Sequence, residues 1–177
     1  MTTNLALANT ALAWGDEGEM EALTFDIAGE TFALEATIVR EILDLLPETA
    51  VPGARPFVGA VINFRGKVIP LADIRLAFGM EPKPPTIDSR IVVVEIDLDG
   101  TPTLVGLRTD KVNEVSTLRQ ANNEAPPRVG MRWPENLIHC LNKHGDAVVI
   151  FPDLQAIFRA GHRKPATEAE IIRHPAA

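Results

Sequence analysis

Leu23, Phe25 and Ile27 alternate with Thr24 and Asp26, the period-two pattern of a strand with one buried face. Gly29-Glu30 turns the chain, and Phe32, Leu34 and Ala36 alternate next, so 22–36 reads as a β-hairpin. Over 37–46 the apolar residues Ile38, Val39, Ile42, Leu43, Leu45 and Leu46 fit a helix as well as a strand, and a helical turn leading into a strand accommodates both. Pro52, Gly53 and Pro56 mark an irregular connection. A second hairpin follows, with strands over 58–64 and 67–71 joined at Arg65-Gly66. Asp73 is placed to cap a short helix over 74–78 that Gly79 ends. Pro82, Pro84 and Pro85 stiffen a linker over 80–87 that cannot join a central sheet, because proline lacks the donor. Beyond it the β-branched run 90–98, the Asp99-Gly100 turn and 104–107 form another hairpin. Residues 119–136 read as a long polar loop, and 147–151 as a strand.

The second half repeats the first. Phe32-Ala33-Leu34 with Val39-Arg40-Glu41-Ile42 matches Val105-Gly106-Leu107 with Val112-Asn113-Glu114-Val115, a constant offset of 73. Val68-Ile69-Pro70-Leu71-Ala72-Asp73-Ile74 matches Val148-Val149-Ile150-Phe151-Pro152-Asp153-Leu154 at an offset of 80, and Phe78 meets Phe158 at the same offset. Each half then holds a hairpin, a connecting turn, further strands and a capped helix, which predicts an all-β chain of two small five-stranded barrels of SH3 or OB type, related by internal duplication and joined by short helices. The division falls near the 80–87 linker. A groove between packed units is a common binding site, so the duplication itself points to an interaction surface.

Charge narrows the classes of partner. Against 24 acids the chain has 17 Lys and Arg, a net charge of −7, which disfavours the clustered cations that phosphate-backbone binding requires. With no Tyr and 5% aromatics, it also lacks the stacking platform of a single-strand binder. No apolar run reaches the roughly 20 residues of a membrane span, so no direct membrane insertion is expected. The single cysteine, Cys140, fits a reducing compartment. Residues 1–20 read as a flexible leader or weakly docked helix, since no Lys or Arg precedes the apolar stretch over 5–14. The body is 21–160, and the tail over 161–177 carries a capping box, Thr167 with Glu170.

Catalytic chemistry finds no foothold. There is no G-x-S-x-G around Ser89 or Ser116 and no phosphate-binding glycine loop. His139, Cys140 and His144 lack a fourth ligand at metal-site spacing and read as residues at a strand end. Asp97 and Asp99 flank a hairpin turn as solvated acids. The sequence predicts no enzyme, no cofactor and no metal.

The run Gly59-Ala60-Val61-Ile62-Asn63-Phe64-Arg65-Gly66-Lys67-Val68-Ile69-Pro70-Leu71-Ala72-Asp73-Ile74-Arg75 resembles the signature of the CheW-like domain family. Flanking segments agree in order, from Phe32-Ala33-Leu34-Glu35 through Val51-Pro52, Phe78-Gly79 and Arg90-Ile91-Val92-Val93-Val94 to Asp110-Lys111-Val112, so that about 21–158 takes part. The resemblance implies a stand-alone coupling protein that joins the cytoplasmic tips of chemoreceptors to the regulatory domain of the histidine kinase CheA. It also implies contacts between copies in arrays and a cytoplasmic location at membrane-associated receptor arrays. The family includes adaptors of non-flagellar chemosensory pathways, and a ligand-binding barrel is the rival class. The groove that takes the receptor tip in this family corresponds here to Leu23, Ala36, Val39, Ile42 and Val112, positions that also suit plain barrel core. Glu41 and Arg65 match a charged pair important for partner binding, with Gly66 serving the turn. Ile138-His139-Cys140-Leu141-Asn142 departs from the family pattern, as do Phe64 for leucine and the small Ala36.

Overall fold

A computed structural model describes residues 12–127 and 133–162; the Thr167–Glu170 capping box lies outside them. In the first copy of the repeat the strands are β1 (Glu19–Ile27), β2 (Glu30–Glu35), β3 (Val39–Leu43), β4 (Glu48–Ala50), β5 (Ala60–Phe64) and β6 (Lys67–Ala72), ending in helix α1 (Ile74–Ala77). The second copy supplies β7 (Arg90–Leu98), β8 (Thr101–Thr109), β9 (Lys111–Arg119), β10 (Asn123–Glu124), β11 (Ile138–His144) and β12 (Ala147–Pro152), ending in α2 (Leu154–His162). Asp73 caps α1 by accepting the Arg75 N–H at 3.2 Å. The helix ends in a Schellman turn, with Met80 N–H bonded to Arg75 O and Gly79 N–H to Leu76 O.

The two copies do not fold side by side. One sheet runs β10-β11-β12-β2-β1-β9 and the other β3-β7-β8-β6-β5-β4, so each takes its first hairpin from one copy and its remaining strands from the other. The 80–87 segment therefore separates the repeats in sequence but not the barrels in space, which corrects the division expected there. The physical reason is the connection after each first hairpin. The turn Ala36–Ile38 and the single residue Asp110 carry the chain from one sheet to the other, because β2 and β8 are each already flanked on both sides.

Six strands per sheet reconcile with five per barrel. The edge strands β9 and β10 are joined by the tight turn Gln120–Asn122 and act as one bent strand. Across that seam Asn142 donates to Arg119 O at 2.8 Å and to Asn123 Oδ1 at 2.7 Å. Part of the polar 119–136 segment, expected as loop, is thus strand β10, too short to leave a periodic signal.

Alternation sorts the side chains into three layers. On β7, Ile91 and Val93 enter one barrel while Val92, Val94 and Ile96 face the layer between the sheets. On β12, Val149 and Phe151 enter the other barrel while Ile150 joins the shared layer. These central strands are buried on both faces, which explains their unbroken apolar runs. In β8 the inward position is Gly106, where a Cβ would sit 3.1 Å from Ile91 Cγ2 and 3.3 Å from both Ile62 Cδ1 and Leu71 Cδ1. The end of the expected leader is ordered. Leu12 and Trp14 pack on the barrel of β1, with the Trp14 ring edge-on to Phe151 at 6.0 Å, and β1 begins at Glu19.

Candidate partner-binding site

A β-bulge builds the apolar positions of the site. On β3, Val39 lies opposite Val94 and Ile42 opposite Val92, so Arg40 and Glu41 together face Val93. The extra residue puts Val39 and Ile42 on one side of the sheet although they are three apart. The bulge recurs at the 73-residue offset. Val112 lies opposite Phe25 and Val115 opposite Leu23, with Asn113 and Glu114 facing Thr24. Thr24 then makes a local polar contact there, donating to Glu114 O at 3.1 Å.

Three of the five sequence-derived groove residues, Leu23, Val39 and Val112, converge on the layer between the sheets. Leu23 is part of that core at 3% exposure, and Val39 and Val112 pack half-buried against it from opposite sheets. Ala36 lies half-buried in the crossover turn that touches β1. Ile42 extends the stripe outward at 44% exposure. Sequence reasoning missed Val115, which occupies the matching place on β9 and is 56% exposed. The offset from Ile42 was the signal that could have found it.

The charged pair forms. With its backbone displaced by the bulge, Glu41 reaches Arg65, with Nη2 2.8 Å from Oε2. The contact laces the seam where the sheet holding β3 curls onto its β5–β6 hairpin. Arg65 and Gly66 both have positive φ, 51° and 81°, as a two-residue type I′ turn demands, and Asn63 Oδ1 accepts the Gly66 N–H at 2.9 Å. The Arg65 guanidinium also lies 5.5 Å from the centroid of the Phe64 ring. An exposed pair of this kind contributes about 0.2 to 1 kcal/mol.

The departure at Ile138–Asn142 is part of β11. His139 Nε2 lies 3.8 Å from Asp153 Oδ1, and burial pushes the imidazole toward its neutral form. Among the described residues no group of three His, Cys, Asp or Glu is arranged to hold a metal ion. Burial raises the Cys140 thiol to about 11, so little thiolate exists near neutrality. Alkylation by iodoacetamide at pH 8 is expected to be at least about tenfold slower than for an unfolded control, as read by mass spectrometry. Equal rates would show that the thiol is not shielded.

The sequence model of the CheW-like domain family matches residues 21–162. The chain belongs to the CheW-like domain family. Among relatives in this family, the probable chemotaxis protein CheW of Rhizobium etli is 27% identical over 143 residues, 81% of this chain and 90% of the relative. The chemotaxis protein CheW of Rhizobium meliloti is 26% identical over 149 residues, 84% of this chain and 94% of that one. Of solved structures, the scaffolding protein TtCheW from Thermoanaerobacter tengcongensis superposes with a TM-score of 0.70 at 29% identity, covering 78% of this chain and 92% of the other. The CheW-like match spans both interlocked barrels and thus the whole apolar stripe.

Proposed function

We propose that this protein is a chemotaxis coupling adaptor, which binds receptor cytoplasmic tips in the groove between its barrels and the regulatory domain of CheA at another face. The observation that carries the reading is the duplicated bulge, which turns Val39 with Ile42 and Val112 with Val115 toward one apolar stripe in a CheW-like fold. An amphipathic helical hairpin lays an apolar face in such a groove and gains roughly 25 cal/mol per Å² before ordering costs. Arg65, paired with Glu41 and 75% exposed, offers a donor to a partner carboxylate or carbonyl. Scaffolding of this kind needs no bond chemistry; it needs affinities that differ between kinase states. No helix among the described residues is long and apolar enough to cross a membrane, which suits an adaptor recruited to arrays from the cytoplasm.

Titration calorimetry with a receptor cytoplasmic fragment and the kinase regulatory domain of the same organism tests this. Wild type is expected to bind both. Val39→Asp should lose receptor binding by at least about a hundredfold, since a carboxylate cannot be desolvated against that layer, while circular dichroism stays native. Arg65→Glu should weaken binding while leaving stability within about 1 kcal/mol. Failure of wild type to bind either chemotaxis partner, with binding to the receptor and kinase of a non-flagellar system, would reassign the adaptor to that pathway.

A further inference from the structure

A cavity of about 230 Å³ opens between the ends of β2 and β7, β12 and the first turn of α2, with Leu12 at its rim. Glu35, Glu95, Asp97 and Asp153 line it over an apolar floor that includes Phe151. None of the five groove positions, nor Glu41 or Arg65, lines it, so nothing below rests on the receptor-groove reading.

The repeat supplies a built-in comparison. Asp153 N–H bonds to Leu137 O at 2.9 Å just as Asp73 N–H bonds to Phe57 O at 3.1 Å, and both aspartates open a helix. The parallel registers also agree. Ile150 lies opposite Phe32, and Leu71 lies opposite Gly106, the same alignment once the offsets of 80 and 73 are applied. The two sites therefore correspond residue by residue.

Their charges do not. In the first site burial pushes the Asp73 carboxyl up, but the charges of Arg75 and Arg108 oppose that push, and Arg75 continues to Asp110. In the second, Gln155 stands at the place of Arg75 and Glu35 at the place of Arg108. Two guanidinium positions have become an amide and a carboxylate. Glu35 is half-buried, accepts the Ala13 N–H and has its carboxyl pushed up by burial. Gln155 Oε1 is buried with no donor among the described residues. Glu95 is met by Arg40 at 3.4 Å, Asp97 accepts the Gly100 N–H at 2.7 Å, and Asp153 accepts the Ala156 N–H at 3.0 Å. Among the described residues no Lys or Arg lines the cavity, and His139, held toward its neutral form, does not replace the two cations.

We propose that this cavity receives an arginine side chain presented by a partner polypeptide, supplying in trans the guanidinium that Arg75 supplies internally to the corresponding site. The planar fork of five donors matches the Glu35 and Asp153 carboxylates and the open Gln155 Oε1, which the point charge of lysine matches poorly.

The test is a ¹⁵N NMR titration of the full chain with the blocked tripeptide acetyl-Ala-Arg-Ala-amide, its lysine and citrulline forms, and methylguanidinium. The arginine peptide is expected to give saturable shifts at the Ala13 amide and the Gln155 side-chain amide, with lysine about tenfold weaker and citrulline silent. Glu35→Gln should weaken arginine binding about tenfold with the fold intact. Gln155→Arg should abolish it and raise the melting temperature, because the guanidinium is then internal. Absence of saturable shifts up to about 20 mM peptide, a range that would still detect millimolar affinity, would overturn the proposal. So would equal binding of citrulline, or retention of peptide binding in a folded Gln155→Arg variant. Methylguanidinium binding as tightly as the peptide would make this a small-cation site and remove the partner.

Discussion

Truncating Phe32 to alanine is expected to cost about 3 to 5 kcal/mol, the largest effect of any single side chain in the layer between the barrels. Phe32 is fully buried and stacks on Phe25 at 5.9 Å and on Phe78 at 5.7 Å, with interplanar angles of 17° and 8°. Phe25 and Phe32 lie on the first hairpin of one barrel, whereas Phe78 ends the α1 turn of the other. The cavity left by Phe32→Ala would therefore weaken both barrels together. In urea, near-ultraviolet and far-ultraviolet transitions should move jointly to a lower midpoint with one unchanged slope, and the melting temperature should fall by roughly 10 °C. A loss below about 1 kcal/mol, or two separated transitions, would contradict a single shared core.

That shared layer was only partly legible beforehand. Alternation at Leu23, Phe25 and Ile27 exposed the strand, and the constant offsets exposed the duplication, because both depend on local side-chain order. Which barrel each hairpin joins was not readable. Ala36 to Ile38 can lead a chain back into its own sheet or across to another with the same residues, and only long-range pairing decides. The 37–46 ambiguity has a definite origin: the extra residue at the bulge sets Val39 and Ile42 three apart on one face, and that spacing imitates a helix. The groove and charged-pair positions came from family resemblance rather than from patterning. The structure places Leu23 in the core, Val39 and Val112 half-buried against it and Ile42 exposed, and adds Val115, whose alternation is hidden by the same bulge. The acidic cavity was invisible to periodicity, since Glu35, Asp97 and Asp153 come from distant segments and each alone resembles a solvated acid.

Asp110 is the other single side chain on which both barrels depend. It is the residue at which the chain crosses from β8 to β9, and its carboxylate bridges two elements at once. One oxygen takes the Arg75 guanidinium and the other accepts the Ala28 N–H at 2.8 Å, in the turn between β1 and β2. Arg75 is 4% exposed at its side chain, so removing Asp110 leaves a buried cation whose remaining ion-pair partner among the described residues is Asp73, 3.7 Å from its Nε. Breaking a buried pair from one side typically costs 3 to 5 kcal/mol; with Asp110 itself 36% exposed, Asp110→Ala is expected to cost roughly 3 kcal/mol. The sharper test is a double-mutant cycle. Arg75→Met in the Asp110→Ala background removes the stranded charge, so the double variant should be less destabilised than the sum of the two single changes by at least about 1 kcal/mol. Simple additivity would show that Arg75 and Asp110 act independently and that the crossover is held by packing alone. A positive coupling would identify the Arg75 guanidinium bridge of the fold's first site, the arrangement whose counterpart at Glu35 and Gln155 has been left open.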